Sequence, residues 1–273
     1  MFRFVFAILL GFISFQSSAD DRKLEFILKD GQQVLFEKTV SIDQMEASAA
    51  QRSLSFQSPV YNKPMAYEGL SFKDVASQAG VDFSKVEEIK FVALDGFVAT
   101  WSKGTTKSPL VVVTGEQGTE GKFTDIGEGK ETLNPGPFYV MTTDPKEYNN
   151  WIWPFQVYKI ELNYQAPKPG YYPSGAEDKP VIMAGYNAFK STCISCHSIN
   201  LEGGDIGPEL NIPKNITEYR DIEYLKAFIK NPNSYRAKSR MLKFEHLSDQ
   251  QLNELIEYMA YMGSLKMLDK INE

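Results

Sequence analysis

The chain has 273 residues, 42% of them hydrophobic and 23% charged, enough for one large or two ordinary domains with cores of their own. Lys and Arg number 29 against 35 Asp and Glu, a formal charge of −6, so no basic excess points to nucleic acid or anionic lipid as a partner. The only two cysteines are Cys193 and Cys196, and there are two histidines, which excludes a disulfide framework and a four-cysteine zinc site.

Residues 1–19 read as a signal peptide. Arg3 opens the segment, an apolar run follows from Phe4 to Phe15 broken only by Gly11 and Ser14, and Ser17 and Ala19 supply the small side chains a signal peptidase needs. The mature chain is expected to begin at Asp20 and to be exported, to the periplasm of a bacterium. The run falls short of the roughly 20 residues that a spanning helix demands, and no later stretch reaches that length, so no membrane span is expected after cleavage.

From residue 20 to 163 short β-rich runs recur, at Leu24–Leu28, Ile89–Leu94, Phe97–Trp101, Leu110–Thr114, Phe138–Met141 and Phe155–Leu162. Asp95-Gly96 between two of them signals a tight hairpin turn. One helix is predicted up to Ala79, with Ser71 as N-cap, Asp74 three residues on and Gly80 as the stop. A mostly-β α+β domain is expected. Residues 164–180, rich in Pro and Gly and without apolar periodicity, read as a linker.

The texture changes beyond the linker. Ile222, Leu225 and Ile229 share one face of a helix over Asp221–Lys230 that Asn231-Pro232 ends. Leu252, Leu255, Ile256, Met259 and Met262 mark a second helix over 249–263, with Ser248 and Gln251 as its capping box. Residues 181–273 are therefore expected to form a small all-α domain. There is no internal repeat and no low-complexity tract.

The chemistry concentrates in Cys193-Ile194-Ser195-Cys196-His197, the C-x-x-C-H pattern of covalent haem attachment. Two thiols three residues apart on one turn can each add to a vinyl group of the same porphyrin edge, and the next histidine then sits beneath the iron. A dithiol redox centre belongs at a helix start after a strand, in a βαβ pattern that is absent here. A structural zinc site needs further ligands, and a plain disulfide leaves the adjoining histidine unexplained. A histidine-held haem that only transfers electrons takes a second ligand, Met or His. Candidates are Met241, His246 and the C-terminal methionines Met259, Met262 and Met267, the last three at the helical spacing of core filler. Met241 lies in an aperiodic stretch between the two helices, where a chain can loop over a flat ligand.

With Gly185 and Phe189 leading into the haem motif, Gly207-Pro208-Glu209-Leu210 after it, and Met241 ahead of Phe244, Leu247 and Ser248, residues 181–273 resemble a class I cytochrome c domain. The resemblance implies one covalent haem c, His197 as proximal ligand, Met241 as distal ligand, and the Pro208 carbonyl as the partner that orients the imidazole. Leu242 stands where many relatives have proline. His246 would be the bis-histidine alternative and reads as a surface loop residue. His/Met ligation leaves no open coordination site, so the iron is expected to pass single electrons rather than to activate oxygen.

Arg236, Lys238, Arg240 and Lys243 bracket the ligand loop, either as a solvated loop or as a rim that steers an acidic redox partner. Residues 181–273 carry 11 basic against 12 acidic groups, and residues 20–180 carry 17 against 23. The first domain could itself be the acidic surface, and the loop is expected to dock partly against it or against a similarly acidic acceptor.

The first domain resembles the molybdopterin-binding fold of sulfite-oxidase-type enzymes, through Tyr67-Glu68-Gly69-Leu70, Val92–Phe97, Gly136-Pro137-Phe138 and Trp151-Ile152-Trp153-Pro154. That family holds molybdenum through a cysteine thiolate, and this domain has neither cysteine nor histidine. No molybdopterin site is expected. Tyr148, Trp151, Trp153 and Phe155 form an aromatic cluster that reads as a β-domain core or as a binding face. The expected whole is an exported mono-haem electron carrier, not a substrate-converting enzyme, with an N-terminal docking module. The alternative is a sulfite-dehydrogenase-like oxidoreductase whose first domain binds cofactor or substrate and reduces the haem.

Overall fold

The computed structural model describes residues 21–127, 132–149, 151–165 and 168–272; the signal peptide expected over 1–19 lies outside them. Alternation decides the first sheet. β1 (Lys23–Asp30) turns Leu24, Phe26 and Leu28 inward, and β5 (Glu88–Ala93) does the same with Ile89, Phe91 and Ala93. With β2 (Gln33–Ser41), β6 (Val98–Ser102) and β9 (Val157–Asn163) they form a sheet in the order β2-β1-β9-β5-β6, mixed because β1 and β9 run parallel. The second sheet, antiparallel throughout, orders β3 (Gln51–Gln57), β4 (Pro64–Ser71), β7 (Leu110–Glu116) and β8 (Tyr139–Thr142). β7 is buried almost along its length because it lies between two strands and its Val111–Val113 run has no polar alternation to face water.

Helices α1 (Ile42–Glu46) and α2 (Phe72–Ala79) complete a mostly-β domain, and one core gathers side chains from both sheets and both helices. β2, β3, β4 and α1 are absent from the strand and helix signals of the sequence. β2 and β3 are largely exposed, so their alternation carries few apolar residues to detect. α2 ends as predicted, with Gly80 at φ +104. Its start corrects the expected cap: the Ser71 side chain makes no capping bond, and the Asp74 carboxylate instead accepts from the Ala50 backbone N–H at 3.1 Å. Ser71 is also the last residue of β4.

The C-terminal domain pairs α3 (Pro180–Ala188) with α5 (Asp249–Met262), and α4 (Ile222–Lys230) lies beside α5. Gly185 permits the close crossing: a Cβ there would fall on the Glu254 carbonyl oxygen and 2.6 Å from Tyr258 Cβ. α5 starts at the predicted capping box, which Ser248 and Gln251 close in full, and α4 starts after Asp221, whose side chain accepts from the Tyr224 N–H at 2.8 Å.

Two expectations need correction here. The domain is not wholly α, since β10 (Ser198–Ile199) pairs with β11 (Glu202–Gly203) around Asn200 and Leu201, both in the left-handed region at φ 58 and 60. The segment 164–180 is not a free linker over its second half. Tyr171 and Ala176 are buried in the helical core, the Tyr258 hydroxyl donates to the Tyr171 carbonyl at 2.6 Å and the Tyr261 hydroxyl to that of Ser174 at 3.0 Å. Prolines and glycines spaced without period still bury aromatic side chains between them. Among the described residues no helix is long and apolar enough to cross a membrane.

Candidate functional site

α3 does not end in an ordinary turn. Residues Phe189–Cys193 widen into a π-helical turn, closed by Ile194 N–H donating to the Phe189 carbonyl at 3.0 Å, a local distortion typical of functional positions. It delivers Cys193, half-buried, to the edge of the helical core, and the next turn follows with His197 N–H donating to the Cys193 carbonyl at 2.9 Å. Cys196 is also half-buried, and neither thiol is in a disulfide. Burial pushes the Cys193 thiol up to about 12, with Cys196 adding to it. The Cys196 thiol is also raised, chiefly by burial and then by Asp95, while Arg240 opposes. Both sulfurs are therefore neutral thiols at pH 7, side by side on one turn.

His197 has a defined tautomer. Its Nδ1 lies 2.9 Å from the Pro208 carbonyl oxygen, which can only accept, so Nδ1 carries the proton and Nε2 keeps a free lone pair. Burial lowers the imidazole pKa against the opposing pull of that carbonyl, keeping the ring neutral, the form that binds a metal. Gly207 makes room for the ring, for a Cβ at that position would fall into the imidazole. The Gly207 N–H in turn donates to the Cys196 carbonyl at 2.7 Å, tying the Pro208 turn to the motif.

Met241 is half-buried and packs against the same core as Cys193, together with Phe244 and Leu247. Phe244 N–H donates to the Ile229 carbonyl at 3.3 Å, which ties this loop to the end of α4. Arg240, beside Met241 in the loop, opposes the rise of the Cys196 thiol. His246 is exposed, and Met259 and Met262 are buried in the core face of α5. The candidate donors are thus two thiols three residues apart and one imidazole with a free Nε2, with the Met241 thioether packed against the same apolar core. These residues fit a covalently attached haem.

Residues 182–263 match the family model for cytochrome c. The cytochrome c domain begins in α3 and closes just after α5, so it takes in the pentapeptide, the Pro208 turn and the Met241 loop. Haem-based electron transfer is what such a domain supports. No curated protein matches the chain.

The sequence offered no signal for what holds the loop around His197. Asn200, Asn211 and Asn215 are buried, Asn211 donating to Asn200 Oδ1 at 2.8 Å and Asn215 to Asn211 Oδ1 at 2.7 Å. Asn200 also donates to the Gly170 and Leu265 carbonyls, and Asn215 to that of Met259. The Glu209 carboxylate accepts from four backbone N–H groups, those of Asn200, Leu201, Asn211 and Ile212, at 2.8–3.1 Å. The network spans the loop, the former linker and α5, and it holds Leu201 in a backbone region that costs a branched-chain residue about 1–2 kcal/mol. Asparagines without periodicity read as turn formers, and only the tertiary fold turns them inward.

In the N-terminal domain the aromatic cluster is core. Trp151 and Trp153 are buried, and Trp153 meets Phe56, Tyr139 and Tyr148 at 5.4–6.3 Å between ring centroids. Among the described residues no three His, Cys, Asp or Glu side chains come together as a metal site.

Proposed function

We propose that the protein is an exported, periplasmic mono-haem c-type cytochrome that transfers single electrons. One haem c would be held covalently by Cys193 and Cys196 and ligated by His197 and Met241. Its N-terminal domain, of sulfite-oxidase-like fold, is read as a non-catalytic docking module. The observation that carries the reading is the His197 ring, whose Nδ1–H is committed to the Pro208 carbonyl beside two free thiols, so that Nε2 alone remains for a metal. When bound, the haem supplies a one-electron couple. The residues that would tune it are the chain's own: Pro208 orients the imidazole, the π turn carries Cys193, and the buried Phe189 and Ile194 supply apolar surroundings beside the motif. The exposed Leu242 and the basic Arg236, Lys238, Arg240 and Lys243 form the proposed approach for an acidic redox partner.

A second reading keeps the first domain as a binding unit that feeds the haem. It draws on a cavity of about 420 Å³ whose lining includes Lys122, Phe123, Asn134 and Pro137. Metal and pterin analysis of the purified protein decides between the two, with one iron and no molybdenum or pterin expected. Met241→Ala should keep the covalent pigment and its Soret absorbance, lower the midpoint potential and admit external ligands. A colourless protein after expression with haem-attachment machinery overturns the proposal, and an unchanged potential in Met241→Ala removes Met241 from the ligand set.

A further inference from the structure

The two domains meet at the haem motif itself. β6 is an edge strand, and its open side would present unpaired backbone groups to solvent. Instead the Val98 N–H donates to the Ser195 carbonyl at 3.0 Å, and the Asp205 N–H donates back to the Gly96 carbonyl at 3.0 Å. Ser195 is the residue directly before Cys196. The tip of the β5–β6 hairpin therefore grips the peptide from which the second thioether would hang, and it also grips the loop that returns from β11.

The fit is close. Gly96 has φ +88, held by Asp95 Oδ1 accepting from the Phe97 N–H at 3.0 Å. A Cβ at residue 96 would fall on the exposed Asp205 carboxylate, 2.6 Å from its Cγ, so a side chain there must displace that carboxylate as well as adopt the positive-φ turn. A second approach lies at the other end of β5, where Glu87, Glu88, Ser102 and Lys103 face Tyr172, Tyr186 and Lys190 across a cleft. Approaches at both ends of one strand fix an orientation that a chain joint alone would leave free.

We propose that the β5–β6 hairpin is a clamp on the haem-attachment loop, with Gly96 and Val98 as positioning residues. The clamp seats the N-terminal domain over the Cys196 side of the pigment and leaves the Arg236–Lys243 rim as the open approach for partners. This rests on the haem reading above for its consequence, and on the two backbone bonds for its geometry. It changes what the first domain does: it shields the thioether side and sets the conformation of the Ser195–Cys196 peptide, besides any contact it makes elsewhere.

The test uses the full-length holoprotein and three variants. Gly96→Asn adds a side chain while keeping a residue that tolerates positive φ, Asp205→Gly removes the carboxylate but keeps the donating N–H, and the third combines them. Haem content, backbone amide exchange at Val98 and Asp205, and the rate of haem reduction by a small neutral reductant are measured in each. All four proteins should carry one haem. Gly96→Asn should lose roughly tenfold or more of the protection at both amides and be reduced severalfold faster, as expected when a local opening becomes easy. The double variant should recover most of both, because the added side chain then has room. Unprotected Val98 and Asp205 amides in the parent protein, or full protection retained in Gly96→Asn, overturn the clamp. Failure of the double variant to recover overturns the fit at Asp205. Absence of haem from all four sinks the functional reading instead, and the exchange data still score the clamp.

Discussion

The N-terminal core is closed by aromatic rings packed edge to face, Tyr139 on Trp153 at 6.3 Å and Phe56 on Trp153 at 5.6 Å. The C-terminal core is cross-linked by buried asparagines that pass hydrogen bonds from a loop to α5. The first arrangement depends on volume, and buried polar atoms without a hydrogen-bond partner occur in both, the Nε1 of Trp151 and of Trp153 and the Tyr139 hydroxyl in the first and the Tyr171 hydroxyl in the second. The second depends on direction. A loop that must present one imidazole nitrogen and two sulfurs cannot be held by packing alone, since apolar contacts do not specify orientation.

Removing volume from the first core should have the largest effect. Trp153→Ala, at a position 1% exposed, should destabilise the N-terminal domain by about 3–5 kcal/mol in denaturant unfolding. The Soret band should survive to higher denaturant than the loss of β structure, and simultaneous loss of both would make the two cores one cooperative unit. Asn211→Leu sharpens the contrast from the other side. It keeps the volume but removes both hydrogen bonds of the relay, and should cost about 1–3 kcal/mol while lowering the temperature at which the haem environment melts. A neutral effect would mean that packing is enough there too.

The smallest expected effect lies between the domains, at Glu88. Burial raises its carboxyl, and Glu202 and Glu161 add to this, while Lys90 and Lys190 oppose. Between the usual value of 4.5 and the raised native one, the folded protein binds more protons than the unfolded chain, so stability falls as pH rises through that window. Glu88→Gln should therefore raise Tm modestly at pH 7, and the gain should fade as the pH drops below 4.5. A gain that persists in acid would assign the effect to packing rather than to charge.

Much of the site was legible from the chain. Cys193, Cys196 and His197 announce themselves by spacing, which covalent geometry imposes, and Pro208 lies where the structure puts its carbonyl against the imidazole. The cap of α5 was readable because a cap is a local bond between residues three apart. β2 and β3 were not, because exposed strands bury too little to leave a pattern. Tyr171 and Ala176 were hidden in a Pro/Gly-rich segment whose burial depends on a groove made by α3 and α5.

By itself the sequence determined the C-x-x-C-H pattern, the order of the candidate ligands along the chain and the boundary between a β-rich and a helical region, since each follows from patterns close in sequence. Only the tertiary structure decided that Asn200, Asn211 and Asn215 turn inward, and that the Asp95-Gly96 turn, legible as a hairpin, ends on Ser195 and Asp205 about a hundred residues away. The hairpin's contacts join backbone groups that every residue carries, so no side-chain pattern records them until the two domains are in place.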